Sequence, residues 1–212
     1  MRKTRDGEAT KNSVITTARE VFAERGFAGT SLAMISARCG ISEGLILHHF
    51  KNKKNLYKMI LQDLARDYAE TISRAMKVSK DPQQVAGEML QTIFRYWSED
   101  TLYARIAMWA YLEGQDELVD EELKLTKNLA DAVRQMQASG AADPKFSPFV
   151  LLTMTIGPIQ FWVRQRLLFQ QALFPGESMQ ALNDLFLEQY IGLVRKLYQP
   201  ENDLQEKGEG EE

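Results

Sequence analysis

The chain has 212 residues, 44% hydrophobic and 26% charged, which is long and apolar enough to build one large or two small cores. Its formal charge of −3 hides a split, with eleven Lys and Arg against five Asp and Glu in residues 1–60, then fifteen against twenty-four. A single cysteine excludes an intramolecular disulfide and fits a reducing compartment, and the uncharged stretch 147–163, the one candidate membrane span, falls short of the roughly 20 residues needed. The N-terminus is charged and has no apolar signal segment, so a soluble, cytoplasmic protein is expected. A basic head on an acidic body suits a polyanion-binding module joined to something else.

Residues 1–9 are expected to form a flexible basic arm, in which Arg2, Lys3 and Arg5 either reach phosphates or are simply solvated. A helix is expected from about Thr10 to Arg25, with Val14, Ile15, Ala18, Val21 and Phe22 as its apolar face. Gly26 stops it, and Phe27 plugs the core. Thr30 or Ser31 caps the next helix, whose Leu32, Ile35 and Cys39 share a stripe, and Gly40 ends it. On that stripe Cys39 is a small core residue rather than an exposed redox sensor. Ser42 then caps a short helix, Glu43 to Phe50, with Ile46 and Phe50 inward. Ser42, Glu43, Gly44, Leu45, Leu47 and His48 are left outward, followed by Lys51, Lys53 and Lys54. An outward short helix ending in lysines is the layout of a helix-turn-helix, whose second helix enters the major groove.

The stretches AREVFAERGFAGTSLAMISARCGIS (18–42), GLILHHF (44–50) and KNKKNLY (51–57) resemble the N-terminal domain of the tetracycline-repressor (TetR) family of bacterial transcription regulators. The likeness is specific over about residues 10–60, and beyond them it rests on length and helical pattern. It implies an all-α protein of about nine helices: a three-helix DNA-binding domain at 10–54, then a larger effector-binding and dimerisation domain at 55–199. It also implies that Lys53 meets a phosphate, with Lys51 a close second, and that His48 faces the backbone while His49 is partly buried. Leucines stand at 45 and 47, where the family has a small residue and a backbone-touching tyrosine, so that contact is not carried over to Leu47.

A long helix from Asn55 to about Val78 would link head and body, with Leu56, Met59, Ile60, Leu64, Tyr68 and Ile72 inward. Asp81-Pro82 opens a helix that ends near Ser98, and Thr101 to Leu112 follows. An acidic amphipathic helix runs from Asp116 to about Ser139, and Ser147-Pro148 repeats the cap-proline signal. The helix from Pro148 to about Gln171 is apolar nearly all round and kinks at Gly157-Pro158, and a last helix runs from Ser178 to about Tyr198. Such a pair suggests a self-complementary four-helix dimer interface, drawn from Ile156, Val163, Leu182, Leu185, Phe186, Gln189, Leu193 and Leu197. Residues 200–212 are an acidic tail expected to be disordered.

Backbone contacts to DNA are expected from Thr30, Ser31, His48, Lys51 and Lys53, and base-facing positions are Ser42, Glu43, Gly44, Leu45 and Leu47. The leucines either lie against thymine methyls or pack inward and leave recognition to shape. The two histidines are adjacent, and no catalytic triad, phosphate-cradling loop or metal-ligand spacing is present, so neither an enzyme nor a cofactor is expected. Tyr68, Phe94, Trp97, Met108, Trp109, Met154, Phe161 and Trp162 either line an adaptable apolar pocket or belong to the core, and the polar candidates beside them, Arg105, Glu113, Gln160 and Gln165, either orient a head group or pair with one another. The function expected is that of a homodimeric repressor that a small, lipophilic effector releases from a palindromic operator. The alternative is a dimeric helical interaction module that keeps the fold but lacks specific DNA reading.

Overall fold

The computed structural model describes residues 2–79, 81–99, 101–115 and 120–198, so the expected acidic tail at 200–212 lies outside the described residues. The described chain is all-helical: α1 (Arg2–Arg25), α2 (Leu32–Cys39), α3 (Glu43–Phe50), α4 (Lys53–Ala75), α5 (Pro82–Ser98), α6 (Thr101–Leu112), α7 (Asp120–Ala138), α8 (Pro148–Leu173) and α9 (Met179–Tyr198). No helix among the described residues is long and apolar enough to cross a membrane. The first helix starts at Arg2 rather than near Thr10, so the residues expected as a basic arm have helical backbone. Arg, Lys, Glu and Ala are strong helix formers, and the lone Gly7 costs only about 1 kcal/mol against them. The start expected for α7 at Asp116 falls outside the described residues.

Two compact units arise. The first comprises residues 1–70 and 96–123; the second comprises 71–95 and 124–212. The helix-turn-helix thus shares its unit with most of α4 and with all of α6, beyond the expected limit at residue 54. Its core is the apolar stripe of α1 (Val14, Ala18, Val21, Phe22) against Ile35, Ile46 and Phe50 of α2 and α3, Leu56 and Ile60 of α4, and Ile106 of α6. Phe27 closes this core, its ring 5.1 Å from Tyr57 and 6.5 Å from Phe22.

In the second unit α8 packs on α9 through Leu151, Leu152, Thr155 and Ile159 on one side and Leu182, Tyr190 and Val194 on the other. Helix α8 continues through Pro158, whose ring nitrogen has no hydrogen to give the carbonyl of Met154. The Tyr190 hydroxyl from α9 supplies the missing donor. Burial pushes the Tyr190 phenol well above its ordinary pKa, so it remains a donor throughout the physiological range. Tyr190→Phe is expected to cost about 1–2 kcal/mol, the usual loss for leaving a shielded carbonyl unpaired. In a Pro158→Ala background, where residue 158 has its own N–H, the same change should cost much less. Equal losses in the two backgrounds, measured by chemical denaturation, would refute this pairing.

Candidate nucleic-acid interface

Each element of the helix-turn-helix is closed by its own local chemistry. The Ser31 hydroxyl accepts from Met34 N–H at 3.2 Å at the start of α2, and Gly40, at φ 70°, ends it. The Ser42 hydroxyl accepts from Leu45 N–H at 3.4 Å and opens α3. Asn52 caps α4 through Oδ1, which accepts from Asn55 N–H at 2.8 Å. Arg38 ties α2 to α1 by pairing with Glu20 at 3.0 Å and Glu24 at 2.8 Å, and its hydrogen bond holds the Glu24 carboxyl below its ordinary pKa.

Between α3 and α4 the chain makes an unusual turn. Asn52 N–H donates to Phe50 C=O at 2.8 Å, and Lys51 between them sits at φ 66°, ψ −46°. That is close to the γ-turn of positive φ, a rare and strained conformation for any residue but glycine. The strain presents an exposed lysine at the exit of α3. Lys51→Gly is expected to raise stability by about 1 kcal/mol through relief of that strain, while weakening DNA binding through the lost charge. A fall in melting temperature would show that no strain is stored there.

The exposed face of α3 carries Ser42, Glu43, Gly44, Leu45, Leu47 and His48 together, with Lys51 at its end. Leu45 is 40% exposed and Leu47 42%, whereas Ile46 and Phe50 are buried, so the leucines do not pack inward. His49 is half-buried, with its ring 6.1 Å from Phe50. Ser31 is exposed at the α2 N-terminus.

Two expected backbone contacts are placed elsewhere. Thr30 is only 3% exposed, and its hydroxyl donates to Gly26 C=O at 2.7 Å, a carbonyl that the end of α1 leaves without a helical partner. It therefore cannot offer that hydroxyl to a phosphate. Lys53 also turns inward: its Nζ donates to Phe27 C=O and Thr30 C=O, both at 2.7 Å, and lies 4.2 Å from the centre of the Phe27 ring. Thr30 N–H also donates to Phe27 C=O, at 3.3 Å, and the first side chain of α4 adds a charged donor to that carbonyl and to Thr30 C=O.

The aromatic residues fall into separate groups. In the first unit Tyr68 and Trp97 pack with Tyr96 and Tyr103, at centroid distances of 5.1–5.6 Å. Trp109 sits against Gly26, Met108 is exposed, and Arg105 Nε donates to Ala23 C=O at 2.7 Å. In the second unit Phe94 and Trp162 stack on Phe186, while Met154 and Phe161 are exposed. Arg105 and Glu113 are both expected from sequence to orient a ligand head group or to pair with one another; in the structure both hold the end of α1 and the turn after it. No sequence spacing signals this, because 82 to 86 residues separate the partners.

Of the residues expected at a dimer interface, Leu182 is 4% exposed and packed within its own chain, which removes it from that set. Phe186 is half-buried between Trp162, Phe94 and Tyr190. Leu185, Gln189 and Leu193 are exposed, and Ile156, Val163 and Leu197 are half-buried.

Residues 14–60 match the family model for bacterial regulatory proteins of the tetR family, and residues 87–182 match that of the tetracyclin repressor-like C-terminal domain. The regulator TtgR of Pseudomonas putida is 26% identical over 180 residues, covering 77% of this chain and 85% of that one. A TetR family regulator from Marinobacter aquaeolei VT8 superposes with a TM-score of 0.73 at 19% identity, over 93% of this chain and 98% of that one. The transcriptional regulator FadR from Bacillus subtilis, solved in complex with stearoyl-CoA, superposes with a TM-score of 0.62 at 18% identity, over 84% and 96%. With both family models matched in order, and a capped, outward-facing α3 at the position the first requires, the chain belongs to the TetR family of transcriptional regulators.

Proposed function

We propose that this regulator is a homodimeric, sequence-specific repressor that a small lipophilic effector releases from a palindromic operator. The observation that carries the DNA half is the exposed α3 face, with two leucines raised above a buried Ile46 and Phe50. Residues 10–54 would dock α3 in the major groove, and the two heads of a dimer would occupy grooves about 34–36 Å apart. Ser31, His48 and Lys51 would meet the backbone. Leu45 and Leu47 would lie against thymine methyls, the apolar feature of the major groove, and Glu43 would accept from a cytosine amino group.

Residues 55–199 would supply effector binding and dimerisation. The stearoyl-CoA seen in FadR supports an acyl chain as the effector class. The Tyr68–Trp97 and Phe94–Trp162 clusters offer surfaces for such a chain. An effector that binds the released form about 100-fold more tightly would supply roughly 2.7 kcal/mol of coupling.

One observation favours a second reading: the exposed α3 face from Ser42 to His48 holds no Arg, Asn, Gln or Lys for bidentate purine contacts. A helical interaction module without specific DNA reading fits that composition. Titration of the protein into DNA from upstream of its own gene and into scrambled DNA, at several salt concentrations, separates the two. The proposed repressor binds the upstream DNA selectively, with log affinity falling by about 0.9 per engaged phosphate for each decade of salt. Equal weak binding to both, followed by failure to select any preferred sequence from random DNA, leaves the module.

A further inference from the structure

The turn between α1 and α2, residues 26–30, is gripped from both sides by charge. The Glu113 carboxylate, one residue beyond α6, accepts from Phe27 N–H at 2.7 Å and from Ala28 N–H at 3.0 Å. Successive backbone N–H groups after a residue of positive φ form a concave, electropositive nest, and Gly26 at φ 69° sets it up. On the carbonyl side, Lys53 Nζ takes Phe27 C=O and Thr30 C=O. The anion therefore holds the donors and the cation holds the acceptors of one five-residue turn. Charged partners make these bonds about twice as strong as neutral ones.

We propose that Glu113 and Lys53 are positioning residues for DNA binding, fixing the turn that seats Ser31 and the N-terminus of α2 beside α3. The proposal rests on the DNA reading above. Glu113 lies within the stretch that matches the C-terminal domain model, yet it grips a turn of the DNA-binding motif. Buried beside the same turn, the Tyr57 hydroxyl has no hydrogen-bond partner, and its pKa is pushed up to about 12 by burial first and by the Glu113 charge second. The Glu113 side chain is half-buried at this joint, with both carboxylate oxygens engaged by the turn.

The test compares wild type, Glu113→Gln and Lys53→Met in the full chain by DNA affinity, salt slope and amide exchange. Removing a carboxylate from a DNA-binding protein should tighten binding if net charge alone mattered. A positioning role gives the opposite sign: Glu113→Gln is expected to weaken binding at least 10-fold with its salt slope unchanged, and to speed exchange of the Phe27 and Ala28 amides. Lys53→Met should likewise weaken binding at least 10-fold without changing the slope. A slope flattened by about one phosphate's share in Lys53→Met would make Lys53 a phosphate ligand and overturn its half of the proposal. Binding within twofold of wild type in both variants would overturn the whole. Should the wild type prefer no DNA, the DNA reading fails, and unchanged exchange at Phe27 and Ala28 in Glu113→Gln would sink the clamp as well. If Glu113→Gln does not fold, Glu113→Asp, one methylene too short to reach both amides, replaces it under the same criteria.

Discussion

Leu193→Glu is expected to leave the chain monomeric at micromolar concentration while keeping its helical content. Leu193 is 63% exposed in the single chain, so the substitution disturbs no internal packing. It stands in a stripe with Leu185 and Gln189 at four-residue spacing, and α8 adds Phe161, Leu167 and Leu168 as exposed apolar side chains. Exposed apolar side chains grouped in this way support the proposed dimer interface. In a two-fold interface each substitution enters twice, once from each protomer. Burying an unpaired carboxylate costs several kcal/mol, and two of them at about 2–3 kcal/mol each would weaken association by roughly 10³ to 10⁴. Sedimentation velocity should then show a single monomeric species, and operator affinity should drop with it, since two half-sites would no longer be engaged together. A variant that sediments as a dimer would place the interface away from α9.

What the sequence displays and what it hides divide along physical lines. Ser31, Gly40, Ser42 and the Ile46/Phe50 pair were legible because caps and helical periodicity act over three or four residues. The outward α3 face followed from the same periodicity. Thr30 drew its phosphate role from its place at a helix N-terminus and Lys53 from resemblance, whereas the direction each side chain takes depends on which carbonyls the fold brings within its reach. Leu182 and Leu193, eleven residues apart, share one line of α9, and only the packing around each decides that the first is buried and the second exposed. The strained turn at Lys51 has no compositional mark at all, since a lysine is the last residue expected there. Glu113 is the clearest case. Its sequence context marks it only as one of four polar candidates for a head group, and its grip on the Phe27 and Ala28 amides exists only once α6 lies against α1.

Gly26→Ala should destabilise the DNA-binding unit by about 3 kcal/mol. Two separate terms add. At φ 69° a Cβ meets its own backbone, which costs an L-residue about 1–2 kcal/mol. The same Cβ would lie 2.6 Å from Glu113 Oε1, 2.8 Å from Trp109 Cε3 and 2.9 Å from Trp109 Cδ2, so an indole and a bonded carboxylate must both retreat. Forced repacking of that kind typically costs about 1–3 kcal/mol, against which the stiffer unfolded chain returns less than about 1 kcal/mol. For a chain of this size the sum corresponds to a fall of roughly 6–12 °C in melting temperature. Gly40 provides the control, because it has φ 70° but nothing within 4 Å of a Cβ. Gly40→Ala therefore carries the backbone term alone, and the difference between the two variants isolates the contact with α6. If the two cost the same, Trp109 and Glu113 yield freely and the turn is not held from that side. If Gly26→Ala costs more and also weakens DNA binding beyond the loss of folded protein, then the packing of α6 against this turn sets both the stability of the DNA-binding unit and its competence to read DNA.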